Sequence, residues 1–170
     1  GFHRHGNDLF AKDFAVCLGR LAPGGPELIE LTAGIGRRIL IEGGLATAPS
    51  RLAFFLRRMR GFKPFLALHF DRRAIGQFDE AGYAALYRRI ADLLALNPRI
   101  KGVVSSSWWH DPQIAAISPE LSFIDALARS AGARVLRCAE NEVATADALR
   151  FAPGRKALHA AGSYRPRVHL

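Results

Sequence analysis

Pro64-Phe65-Leu66-Ala67-Leu68-His69-Phe70-Asp71-Arg72-Arg73-Ala74-Ile75-Gly76-Gln77-Phe78-Asp79 decides how this chain is read. An apolar run of strand length stops at a histidine and an aspartate, crosses a short glycine-bearing loop, and reaches an aspartate placed to cap a helix. Beyond Asp79, Tyr83, Leu86, Tyr87, Ile90, Leu93 and Leu94 recur at helical spacing. Asn97-Pro98 ends that pattern, because the residue before proline is pushed out of the α region. The unit is strand, loop, helix.

The same grammar continues on both sides. Gly102–Trp108 reads as a strand ending at a second histidine–aspartate pair, His110-Asp111. Ser118-Pro119-Glu120 then opens a helix that Gly132 closes, and Ala133–Ala139 is a further strand. Upstream, Ser50 caps a helix to about Arg60 with Leu52, Phe55, Leu56 and Met59 on its core face. Two short strands, Leu28–Thr32 and Arg38–Glu42, precede it, joined by a hairpin through Ala33-Gly34-Ile35-Gly36 and closed by Gly43-Gly44. Residues 8–21 form a first helix, capped by Asn7 or Asp8, with Leu9, Phe10, Phe14, Cys17, Leu18 and Leu21 facing inward. Alternating helix and strand imply an α/β fold: a single domain over residues 1–170, with a mixed, mostly parallel central sheet flanked by helices.

Composition bounds the function classes. The chain carries a formal charge of +9, with nearly all its cations arginine and scattered in pairs such as Arg37-Arg38, Arg57-Arg58 and Arg72-Arg73. A nucleic-acid patch would cluster them with interleaved aromatics, so solvated helix faces are the expectation. No apolar run approaches the roughly 20 residues of a membrane span, so no membrane partner is expected. The start, Gly1-Phe2-His3-Arg4-His5-Gly6, has neither an initiator Met nor the apolar run of a signal peptide. It is compatible with a piece of a longer protein. Cys17 and Cys138 are read as buried thiols without a C-x-x-C pattern, and a cytoplasmic location follows as the default.

Strand carboxyl ends in open α/β sheets line ligand crevices, which makes the two pairs the candidate chemistry. His69 and Asp71 would share a strand face and act as base and orienting acid, with His110 as a third catalytic candidate. The bland reading gives His69 one core hydrogen bond, pairs Asp71 with Arg72 or Arg73, and leaves Asp111-Pro112 as a turn. Trp108 and Trp109 would point to opposite faces, one walling a substrate pocket together with Asp111. Ser105-Ser106-Ser107 lacks the G-x-S-x-G elbow of a hydrolase. Gly34-Ile35-Gly36 lacks the third glycine of a dinucleotide fingerprint. The loop Arg73–Phe78 opens on a helix N-terminus, where amides and dipole favour an anion.

Over residues 64–139 the order of strand, Arg-x-x-Gly loop, long helix, strand, helix and strand resembles the acetyl-CoA-binding half of GCN5-related N-acetyltransferases. That resemblance implies that Arg73 and Gly76 hold the pyrophosphate of acetyl-CoA or another acyl-CoA. Phe78 stands where the family has a small residue, and the helix near 51–60 stands where the family has adjoining antiparallel strands. The stretch from Ser107 to Pro119 also resembles one in bacterial proteins, which implies no activity. The leading expectation is a small-molecule acyltransferase. A non-enzymatic ligand-binding or interaction domain and a metal-dependent hydrolase built on His69, Asp71 and His110 are the alternatives.

Overall fold

The computed structural model describes residues 8–42, 44–138, 142–150 and 152–170. Asn7, Gly43 and Ala139, named above as a cap, a strand end and a strand end, lie outside them. The chain divides into two compact units, Gly1–Ile35 with Gly61–Val104, and Gly36–Arg60 with Ser105–Leu170.

The first unit holds a four-stranded sheet in the order β1-β2-β3-β4: β1 (Leu21–Pro23), β2 (Glu27–Ala33), β3 (Phe65–Phe70) and β4 (Val103–Ser105). β1 and β2 form a hairpin with Ala22 opposite Ile29, turned at Gly24-Gly25, where Gly25 has φ +115° and only glycine sits without strain. β2 runs antiparallel to β3 with Leu28 opposite His69 and Ile29 opposite Leu68. An irregularity between Glu30 and Ala33 inserts one extra residue on β2. At the other edge, Lys101 N bonds Pro64 O and Leu66 N bonds Gly102 O, so the two segments advance in one direction. The sheet is therefore mixed but mostly antiparallel, and the expectation of a mostly parallel sheet is corrected. The physical reason lies in chain lengths. The two-glycine turn is too short for anything but an antiparallel partner and the α3 crossover is long enough for a parallel one, while the equally long connection from Ala33 to Phe65 fixes no direction by its length.

α3 (Glu80–Leu96) forms as expected, with the Asp79 carboxylate accepting from Gly82 N at 2.7 Å. A Cβ on Gly82 would lie 2.0 Å from Gln77 O, so the loop can close against the first turn only over a glycine. Tyr83, Leu86 and Ile90 are buried. Phe78 bridges Phe70 and Tyr83 edge to face, which locks the loop between β3 and α3. Helix α1 (Asp8–Cys17) is shorter than expected, and its apolar residues Leu9, Phe10, Phe14 and Cys17 are exposed, as is Leu18 just after it. The reading of Cys17 as a buried thiol is thus corrected; Cys138 is half-buried.

The second unit is mainly helical. Arg38–Glu42 is not a strand: Arg37–Leu40 is a 3-10 turn, followed by a turn at Leu45–Thr47, α2 (Ala48–Ala53) and a π-turn at Phe54–Arg58. The Arg51 guanidinium is buried and donates to Ile39 O and Arg137 O, tying these pieces together. α4 (Ile114–Ile117), α5 (Ser122–Ser130), α6 (Glu142–Arg150) and α7 (Pro153–Ala160) follow. The expected strand at 133–139 survives only as antiparallel pairing of Leu136 with Leu170 and of Cys138 N with Val168 O. Leu136, Val168 and His169 are buried along it.

Candidate functional site

His69 and Asp71 belong to the first unit, and His110 and Asp111 to the second. In neither case does the histidine pair with the aspartate beside it.

His69 projects from β3 on the face that also carries Leu28 and Glu30. Its Nε2 meets Glu30 Oε2 at 2.8 Å, with both side chains partly exposed. The antiparallel register sets this diagonal contact. Asp71 has left the strand and caps the next turn, accepting from Arg73 N at 3.1 Å, while its two oxygens take Arg73 Nε and Nη2 at 2.9 Å each. The Arg73 hydrogen bonds hold the Asp71 carboxyl below the usual carboxylate range. Asp13 of α1 takes the third arm of Arg73, and Lys12 Nζ donates to Phe70 O at 2.7 Å. Arg73 is thus shared between two carboxylates, and its guanidinium is held well above its usual pKa by them. Gly76 lies in the same loop with open space where a Cβ would stand.

One residue of this unit escaped the sequence reading. Glu27, at the start of β2 opposite Phe70, is buried and accepts from Tyr83 Oη at 2.6 Å. Burial pushes its carboxyl up to about 7 against the opposing effect of the Tyr83 bond. A glutamate beside Pro26 reads as turn chemistry; only the α3 packing reveals a buried acid.

In the second unit, Ser107 pairs with His169 through two backbone bonds, and Trp108–His110 curls into a 3-10 turn. Trp108 and Trp109 are therefore both buried, with ring centroids 5.6 Å apart, which corrects the expectation of opposite faces. His110 Nδ1 lies 3.6 Å from Asp125 Oδ1 on α5, and Arg129 holds the other oxygen of Asp125. Burial lowers the His110 pKa, outweighing the pull of Asp125. Asp111 is buried and accepts from Gln113 N at 3.1 Å, from Gln113 Nε2 and from Arg167 N at 3.2 Å. Its role here is to close a turn and pin the C-terminal segment. Arg155 lies over the Trp108 ring at 4.7 Å and donates to Ser118 Oγ. Nε1 of Trp108, Nδ1 of His110, Oδ1 of Asp125 and the hydroxyl of Tyr164 are buried without a hydrogen-bond partner among the described residues.

Among the described residues no three His, Cys, Asp or Glu side chains gather to hold a metal ion, and no helix is long and apolar enough to cross a membrane. No protein-family model matches the chain, nor does any curated protein or solved structure.

Proposed function

We propose that this chain is a small-molecule acyltransferase using a CoA-type donor such as acetyl-CoA, on the plan of the GCN5-related N-acetyltransferases. The observation that supports the reading is the sheet: antiparallel β1–β2–β3, then β4 alongside β3 in the same direction, joined through the loop and α3. The helix near residues 51–60 interrupts the chain between β2 and β3 without separating the two strands, so adjoining antiparallel strands accompany it.

In this reading the loop Arg72–Gln77 meets the donor phosphates with its backbone beside Gly76, because Asp71 and Asp13 already engage the Arg73 side chain. His69, oriented by Glu30, takes the proton of an acceptor amine or hydroxyl. The acceptor atom bonds to the acyl carbon, the carbon–sulfur bond breaks, and the proton passes to the departing thiolate. A non-enzymatic interaction domain is the alternative if no acyl donor binds.

The test is a thermal-shift titration with acetyl-CoA. At about 100 times its dissociation constant the donor should add roughly 2.7 kcal/mol of stability, a saturable rise of several degrees. Gly76→Ala is the sharper probe: its methyl group meets nothing in the fold and its φ is not left-handed, so the protein should stay as stable. The same methyl should hold a phosphate away and weaken binding several-fold. A flat wild-type titration overturns the proposal, and unchanged affinity in Gly76→Ala removes the loop from it.

A further inference from the structure

We propose that the segment Gly36–Arg60 of the second unit docks on an anionic membrane surface. Its inner side is anchored: Ile39, Arg51 and Phe55 are buried, and the Arg134 guanidinium sits 4.8 Å from the centre of the Phe54 ring. Its outer side is not the core face that the Leu52–Met59 spacing suggests. Leu52 and Leu56 are 40% and 56% exposed, and Leu45, one heptad before Leu52, is 78% exposed. Leu45 heads the 3-10 turn before α2, Leu52 lies in the last turn of α2 and Leu56 in the π-turn after it, so the three exposed leucines recur along one segment.

Arginines are interspersed with these leucines along the chain. The segment holds six arginines against a single acidic residue, Glu42. Arg37, Arg57 and Arg58 are exposed, and among the described residues none of the three has an ion-pair or hydrogen-bond partner through its side chain. Exposed leucines bordered by uncompensated guanidinium groups match the boundary between acyl chains and phosphodiester headgroups: the leucines enter the acyl layer and the arginines hold phosphate oxygens. A nucleic acid would use the arginines and gain nothing from three leucines. A second copy of this face would bring like charges together. The contact is interfacial, in keeping with the lack of a spanning helix among the described residues. It does not rest on the acyltransferase reading, whose loop lies in the other unit.

The experiment is co-sedimentation of the full chain with phosphatidylcholine vesicles, with and without phosphatidylglycerol. Wild type should pellet only with the anionic vesicles, and less so as salt is raised. Leu45→Ser with Leu56→Ser, and separately Arg57→Glu with Arg58→Glu, should each lower the partition by about tenfold or more, since every apolar side chain inserted and every cation at the surface contributes. All four positions are exposed, so unchanged Trp108 and Trp109 fluorescence should show both variants folded. Absence of wild-type pelleting overturns the proposal. So does a leucine variant that pellets like wild type, or a loss explained by an altered oligomeric state or by competing RNA.

Discussion

His69-Phe70-Asp71 and His110-Asp111 look alike in sequence and end up as opposites. At the end of β3 these polar groups are paired: partly exposed His69 has Glu30, and buried Asp71 and exposed Asp13 share Arg73. At the Trp108–His110 turn, the polar groups are buried and several lack a partner, while Asp111 is fully committed to backbone and Gln113 donors. A partly exposed pair such as His69 with Glu30 trades water for protein at little gain. A buried, unpaired site holds groups whose protonation the fold must control. Adjacency in sequence says nothing about which of the two a histidine joins.

The largest way to break this comparison is pH. In the first unit the folded Glu27 carboxyl is raised from 4.5 to about 7, so its contribution is full below 4.5 and is lost as pH climbs through 7. That slope amounts to about 3 kcal/mol. In the second unit burial lowers the pKa values of His110 and His169 from 6.5, so their contribution is full above 6.5 and is lost as pH falls below it. Urea melts across this range should show Trp108 and Trp109 fluorescence gaining midpoint with pH, because both tryptophans belong to the second unit. Backbone exchange in β2 and α3 should show the reverse, and Glu27→Gln should flatten only the latter. Parallel slopes in both units would end the contrast.

A middle-sized effect separates the two aspartates. Asp111→Ala strands the part-buried amides of Gln113 and Arg167 and should cost about 3 kcal/mol. Asp71 is also buried, but Asp71→Ala leaves Arg73 partly exposed and still paired with Asp13, so it should cost only about 1 kcal/mol. Chemical denaturation of both variants at neutral pH checks the ratio; equal costs would make the exposure of the partners left behind irrelevant. The smallest effect belongs to His69→Ala, which should change stability by less than about 1 kcal/mol because the Glu30 pair is exposed. If His69 is the acyltransferase base, the same variant should nonetheless lose most of its turnover while keeping donor affinity.

Much of the fold was legible because its causes are local. Asp79 caps within three residues, Asn97-Pro98 stops α3 within two, and the apolar run of β3 stands out against its neighbours. The Arg38–Glu42 segment misled because Ile39-Leu40-Ile41 carries β-branched residues, yet Ile39 is buried in a 3-10 turn that receives Arg51. The candidate site was legible only as a location. Asp71 beside Arg73 was foreseeable two residues away, whereas Glu30 beside His69 needs the β2–β3 register and Asp125 beside His110 needs the packing of α5.

The sequence by itself determined the strand–loop–helix from Phe65 to Leu96, its cap and its stop, because capping, periodicity and backbone sterics act between near neighbours. Only the tertiary structure decided the strand directions, the carboxylate each histidine faces, the burial of Glu27 and the exposure of Leu45, Leu52 and Leu56. Those depend on register and on which face meets the core, and a one-residue slip or a half-turn of a helix reverses them.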